Sequence, residues 1–339
     1  MKIIFLIFVS FVGTLLAFSQ KCGVSDQATA RYGPIIGNHE NDQDKVRILG
    51  GDESVRGRWP WMAYLRCSGT IIGDRWIMTA AHCIEVVYSH VGVGNINFNL
   101  VDYNVEEIFV HPNFNELESY LDDIALLKLR DKIKFNESIL PICLWQNDGL
   151  NKDEFFVVAG WGDTFDYLRS STETTDPTEI DKLIVESQTT ILNERILTVT
   201  NDGQCLELIN ESDGILDFEH FICHHGVNSG LLPGDSGGPL MALRNNTWIQ
   251  VGVASWAIFK PRPNNRLDLT EFLVYIRVKS YCNWIAKTTS NEVQCQGSQE
   301  SNPPDDKNEK EVTQIPSPNS AANGFFLVVG LYLIGLIFS

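Results

Sequence analysis

The stretch Gly234-Asp235-Ser236-Gly237-Gly238-Pro239 surrounds a single serine with small residues. A serine hydroxyl is a poor nucleophile at neutral pH. To attack a carbonyl it needs a base within hydrogen-bond reach, and the base needs a partner that orients it. It also needs donors directed at the oxyanion that forms during the attack. The glycines suit the last demand, because Gly234 can turn its backbone N–H inward together with that of Ser236 with no side chain in the way. The candidate base is His82, in Thr79-Ala80-Ala81-His82-Cys83, and the candidate orienter is Asp123, in Asp122-Asp123-Ile124-Ala125-Leu126. A buried aspartate would hold one imidazole tautomer and stabilise the imidazolium. The chemistry would be acyl transfer. Residue types alone leave other histidines and aspartates open, and His82 also reads as a core histidine beside a structural cysteine.

The elements that must position these residues read as β-structure. Short runs rich in Val, Ile, Phe and Tyr recur between turn residues, at 61–65, 70–72, 104–110, 124–129, 155–159, 248–254 and 272–278. Many short strands separated by turns indicate a sandwich or barrels. Helical periodicity is confined to short pieces, the clearest at 280–286. Two stacked β units would occupy the span from Ile48 to about Lys287. With 44% hydrophobic residues in 339 the chain can bury a sizeable core. Its formal charge of −17 argues against a nucleic-acid partner, whose phosphates would be repelled.

The ends read as processing signals. Residues 1–19 hold one basic residue, an apolar run and the small-residue spacing Ala17-Phe18-Ser19, the pattern of a secretory signal peptide. Residues 296–323 form a polar linker. Residues 324–339 form an apolar tail shorter than a usual membrane-spanning helix. That order fits a glycolipid (GPI) anchor signal, with a short membrane helix as the rival. The expected location is the extracellular face of the cell membrane. Eight cysteines in an exported chain read as disulfides. No pair has C-x-x-C spacing, so no metal site is expected, and His224-His225 after Cys223 read as loop residues. Asn136, Asn210 and Asn245 each begin a glycosylation sequon.

Taken in order, Ile48-Leu49-Gly50-Gly51, Trp59-Pro60-Trp61, Cys67-Ser68-Gly69-Thr70, Thr79 to Cys83, Asp123-Ile124-Ala125-Leu126, Gly160-Trp161-Gly162, Gly234 to Pro239, Ser255-Trp256 and Cys282-Asn283-Trp284-Ile285 resemble the chymotrypsin/trypsin family of serine proteases. The resemblance implies an all-β fold of two six-stranded antiparallel β-barrels with the active site between them, ending in a short C-terminal helix. It implies a catalytic triad of His82, Asp123 and Ser236, with Asp122 the lesser choice of orienter. The oxyanion hole would be the N–H groups of Gly234 and Ser236. Ser255 would hydrogen-bond the buried aspartate and begin the strand that pairs with substrate backbone. Residues 20–47 would be a pro-segment and 48–290 the protease domain. Cleavage between Arg47 and Ile48 would free an α-amino group that pairs with Asp235 and orders the oxyanion loop. Cys67–Cys83, Cys205–Cys223 and Cys22–Cys143 match family disulfides, the last retaining the pro-segment. Cys282 and Cys295 are what remain, and are expected to staple the terminal helix. The implied partners are protein or peptide substrates, an activating trypsin-like protease and serpin-type inhibitors, with no cofactor.

The same resemblance makes the specificity pocket unusual. Its floor position is Gly230, which has no charge to bind Arg or Lys. A wall position often held by cysteine is Leu232, beside Leu231. Ala257 follows Ser255-Trp256 where glycine is usual, and a wall position three before Tyr275, usually small, falls at Phe272-Leu273, with Leu273 the closest match. A small or medium apolar residue before the cut bond is expected. The alternative is a protease-fold binding or regulatory protein with an occluded pocket. The acidic, Thr-rich run at 170–179 reads as an inserted loop.

Overall fold

The computed structural model describes residues 22–37, 52–86, 89–94, 100–115, 121–150, 154–162, 191–199, 219–227, 234–262, 265–297 and 314–316. The chain begins with helix α1 (Asp26–Gly37), followed by the two-residue strand β1 (Asp52–Glu53). Six strands then form the first barrel: β2 (Met62–Tyr64), β3 (Ser68–Ile71), β4 (Trp76–Thr79), β5 (His90–Val93), β6 (Val101–Val110) and β7 (Ala125–Leu129). Its order is β6-β5-β2-β3-β4-β7, and β7 pairs back onto β6, so the sheet closes on itself. Closure removes the sheet edges that would otherwise need capping. The burial pattern explains the order. Strand β6 alternates exposed and buried positions over most of its length, whereas all four residues of β4, paired on both sides, are buried.

After β8 (Cys143–Leu144), six strands build the second unit: β9 (Phe155–Gly160), β10 (Asn193–Thr198), β11 (Phe221–Val227), β12 (Pro239–Arg244), β13 (Thr247–Arg262) and β14 (Asn265–Arg277). They run in the order β10-β9-β12-β13-β14-β11, with β1 added beside β10 and β8 beside β13. The fold class matches the expectation, with one closed six-stranded barrel and a second, half-barrel sheet built on six strands. The β12–β13 hairpin turns at Asn245-Asn246, both at positive φ (50° and 59°), the conformation a tight hairpin turn needs and asparagine tolerates. Polar and apolar contacts tie the two units: Thr70 Oγ1 donates to Gln250 Oε1 at 2.6 Å, and Trp61 Nε1 approaches Met241 Sδ at 3.0 Å, all four residues buried.

The C-terminal helix α2 (Cys282–Thr288) follows a 3-10 turn at Val278–Tyr281 and buries Trp284 and Ile285. The Cys282–Cys295 disulfide staples it as expected, and Cys22–Cys143 and Cys67–Cys83 are also formed. Cys223 is disulfide-bonded, while its expected partner Cys205 lies outside the described residues. A last short strand, β15 (Gln314–Pro316), adds to the outer edge of β6. Helix α1 was not anticipated. Its signal is local: Ser25 is an N-cap whose Oγ accepts from the Ala28 N–H at 3.2 Å, and Asp26 follows in the first turn. Among the described residues no helix is long and apolar enough to cross a membrane; the tail at 324–339, the run at 170–179 and Asn210 lie outside them. Asn136 and Asn245 are exposed.

Candidate active site

His82 opens a 3-10 turn (His82–Val86) directly after β4, and the Cys67–Cys83 disulfide pins that turn to the residue before β3. Asp123 precedes β7, the strand paired with β4. The ladder therefore brings the two residues together. Asp123 Oδ2 lies 2.7 Å from His82 Nδ1, and Oδ1 accepts the His82 backbone N–H at 2.9 Å. A third donor, Ser255 Oγ, reaches Oδ2 at 2.5 Å. The aspartate side chain is wholly buried, while that of His82 keeps 21% of its exposure. One carboxylate thus fixes both the ring and the main chain of the histidine, while the other ring nitrogen lies 3.7 Å from Cys83 Sγ. Nδ1 carries the proton in this arrangement, because a carboxylate can only accept.

Asp122 and Asp123 are separated by backbone geometry. Asp122 sits at φ +58°, in the left-handed region, and its Oδ1 lies 3.5 Å from His111 Nδ1, so the neighbouring carboxylates face different imidazoles.

The Ser236 loop is fastened on both sides. Ser236 C=O accepts the Ser68 N–H at 2.8 Å, and Ser68 Oγ donates to Gly234 C=O at 3.0 Å. On the other side the Gly237 N–H donates to Ala254 C=O at 2.7 Å, and the Ala254 N–H donates to Gly238 C=O at 2.8 Å. Ser68 follows Cys67, which is bonded to the neighbour of His82, and Ala254 precedes Ser255, which holds Asp123. Gly237 is at φ +78°, and a Cβ there would fall 2.1 Å from Thr79 Oγ1 and 2.9 Å from the Ala80 N, two residues before His82. Only glycine lets the serine loop approach the histidine turn this closely. Gly234 is likewise at φ +100°. Among the described residues no acceptor takes the N–H of Gly234 or of Ser236.

Asp235 points away from this cleft, toward the turn that ends β9. Gly162 N–H donates to its Oδ1 at 2.8 Å, and a Cβ at Gly160 or Gly162 would collide with the carboxylate. Arg47 and Ile48 lie outside the described residues.

Of the pocket positions, Ser255, Trp256, Ala257 and Leu273 are described, and Gly230, Leu231 and Leu232 are not. Leu273 has no exposure and is opposed by Ala257 on β13 and His224 on β11. It packs in the core of the second unit with Ile222, Ala254 and Tyr275. The adjacent histidines are a correction to the expected loop: they lie on β11, whose alternation splits them. His224 faces inward and its Nδ1 donates to Thr198 C=O, while His225 stacks on Phe272 at 4.4 Å. Burial lowers the His224 pKa to about 4. Cys67, His82 and Cys83 bring ligand atoms within 4.8 Å of one another, but the two sulfurs are bonded to each other and offer no thiolate to a metal.

Sequence reasoning missed one site of comparable organisation. Glu194 on β10 has a fully buried carboxylate that receives Tyr32 Oη at 2.6 Å, Trp59 Nε1 at 2.7 Å, Arg31 Nε at 3.2 Å and Arg58. Its partners are scattered over the chain, and no spacing pattern joins them.

The trypsin family model matches residues 48–285. Human serine protease 41 is 30% identical over 269 residues, covering 72% of this chain and 77% of that protein. Vitamin K-dependent protein C of Oryctolagus cuniculus is 30% identical over 267 residues, covering 73% of this chain but 53% of that protein. The two-unit β fold, the histidine–aspartate pair and the serine loop pinned beside it agree with this match, and the chain belongs to the trypsin family of serine proteases.

Proposed function

We propose that the chain is a serine endopeptidase with Ser236 as nucleophile, His82 as general base and acid, and Asp123 as orienter. The observation that supports this most is the threefold grip on Asp123, from His82 Nδ1, the His82 N–H and Ser255 Oγ, beside a serine loop fastened to both barrels. His82 Nε2 takes the proton from Ser236 Oγ as the oxygen attacks the substrate carbonyl. The N–H groups of Gly234 and Ser236 stabilise the resulting oxyanion. His82 then gives the proton to the departing amine, leaving an acyl-enzyme that water hydrolyses by the same route reversed.

The enzyme is made as a zymogen and activated by a trypsin-like protease that cuts after Arg47. The new Ile48 ammonium pairs with Asp235. That carboxylate already lies against Gly160 and Gly162, an arrangement that supports this role. The combination of uncharged Gly230 at the floor position and Ala257 where glycine is usual supports a shallow, uncharged pocket that takes a small or medium apolar residue. It equally favours the second reading, a pocket too closed for turnover. The mature protein is exported and lipid-anchored outside the cell, and serpin-type inhibitors are its natural regulators.

The test is cleavage after Arg47 followed by a fluorophosphonate probe. Covalent labelling of Ser236 that vanishes in Ser236→Ala supports the enzyme. A folded, cleaved chain that takes no label sinks it and leaves the binding-protein reading. A peptide library then reads specificity, and strong cutting after Arg or Lys would overturn the pocket argument. Release from membranes by a phosphatidylinositol-specific phospholipase tests the anchor.

A further inference from the structure

Helix α1 lies in the pro-segment, yet it is built into the protease domain rather than merely tethered to it. Tyr32 is buried and stacks on Trp59 at 5.7 Å, and both rings meet Trp248 edge-on. Ser25 Oγ donates to the Arg58 carbonyl at 2.6 Å, Trp248 N–H donates to Gly23 C=O at 2.9 Å, and Trp248 Nε1 donates to Thr29 Oγ1 at 3.2 Å. These non-covalent contacts are additional to the Cys22–Cys143 bond. At their centre Arg31 and Tyr32 hold Glu194, and Arg31 also reaches Asp52.

The position of Glu194 gives this contact a consequence. In the ladder Glu194 is opposed by Asp52 of β1 on one side and by Ala159 of β9 on the other. Strand β1 lies just past Arg47-Ile48 in sequence. The next residue of β9 is Gly160, and the turn it begins donates the Gly162 N–H to Asp235, the neighbour of Ser236. The cluster is therefore built on a residue whose backbone pairs with both the strand that follows the activation bond and the strand that ends at the Asp235-binding turn.

We propose that the pro-segment is a resident activator: Arg31 and Tyr32 are positioning residues that, through Glu194, hold β1, β10 and the β9 turn in the register that keeps the Asp235–Ser236 loop catalytically formed after cleavage. This rests on the triad and zymogen reading above. The retained segment thus acts as a subunit of the mature enzyme, and losing it or loosening its grip lowers activity with the triad intact. Arg31 contributes mainly through the buried Glu194, since its pair with exposed Asp52 is the kind that adds little alone.

The experiment uses the full chain cut after Arg47, with Ile48 confirmed as the new N-terminus. The double variant Arg31→Met/Tyr32→Phe keeps the apolar packing and removes both polar contacts. It should label with fluorophosphonate at least about fivefold more slowly than the unaltered chain, the low end of ordinary coupling between sites. Hydrogen exchange of the 158–162 segment, which contains the Gly162 donor, should quicken in parallel. Restoring the cation with Arg31→Lys in an otherwise unaltered chain should recover most of the rate. With Cys22→Ser/Cys143→Ser the cut pro-segment should stay bound through gel filtration, and the Arg31/Tyr32 changes should release it. Unchanged exchange at 158–162 in the double variant, or loss of the pro-segment from the cysteine variant alone, overturns the proposal. Exchange and retention do not need turnover, so failure of the unaltered chain to label would strike the enzyme reading and leave these two outcomes to decide the clamp.

Discussion

Two carboxylates in this molecule are buried to the same degree and serve opposite ends. Asp123 and Glu194 each have a side chain with no exposure, and each is saturated with donors. An isolated buried charge is costly, so both must be paired or hydrogen-bonded. They differ in their partners. Asp123 is held by a hydroxyl, a backbone N–H and an imidazole whose side chain stays 21% exposed. Glu194 is held by two guanidinium groups, a phenol and an indole, beneath helix α1 and beside the aromatic cluster of Trp59 and Trp248. The first arrangement pairs the carboxylate with a histidine, the side-chain type most used to carry protons. The second contains permanent cations beside Tyr32, whose pKa is pushed up by burial and by Glu194. The same desolvated charge can therefore orient a proton carrier or act as a rivet, and the choice lies in whether its partner titrates.

Substitutions can break or sharpen this contrast. The largest effect is expected for Asp123→Asn, where the amide would favour the wrong imidazole tautomer. A fall of about 10⁴-fold in kcat, the size this change has in serine proteases of this family, should come with little loss of stability. Glu194→Ala should invert that profile. It strands Arg58, whose side chain is only 12% exposed, and should cost about 3–5 kcal/mol in a denaturant titration. If Asp123→Asn proved mainly destabilising, the division of roles would fail.

A third buried titratable group refines the comparison. His224 is neutral when folded, with its pKa lowered by burial to about 4 from the usual 6.5. The unfolded chain takes up the proton first as pH falls, so stability contributed by this group is present above about 6.5 and is lost toward pH 4. The loss should reach about 3 kcal/mol, and His224→Gln should flatten that part of the pH–stability curve. The smallest effect is expected for Ser255→Ala. Removing one of several donors to the Asp123 carboxylate should slow fluorophosphonate labelling about tenfold, in line with about 1.5 kcal/mol for a hydrogen bond to a charged group. An unchanged rate would make the His82 contacts alone sufficient.

The legibility of these features in sequence followed their locality. The serine loop, the histidine turn and the aspartate each carry a compact wording, and the glycines of the loop are required by φ values that other residues avoid. The strands were readable where burial alternates or runs unbroken, with ends displaced by a few residues. Helix α1 was overlooked because Pro34 and a weak apolar face hide it, although Ser25-Asp26 marked its start. The histidine pair was misplaced in a loop because adjacent polar residues look solvated until a strand sends them to opposite faces. The Glu194 cluster carried no signal, since Arg31, Tyr32, Arg58, Trp59 and Glu194 meet only through folding.

Through its resemblance to one family the sequence by itself determined the family, the two-unit β architecture and three of the expected disulfides, because that resemblance rests on short stretches read in order. Tertiary structure alone decided that Asp122 faces His111, that Leu273 is enclosed in the core of the second unit, and that helix α1 is riveted to β10. Those outcomes depend on backbone handedness at Asp122 and on contacts between residues far apart in the chain, and only the packed barrels supply them.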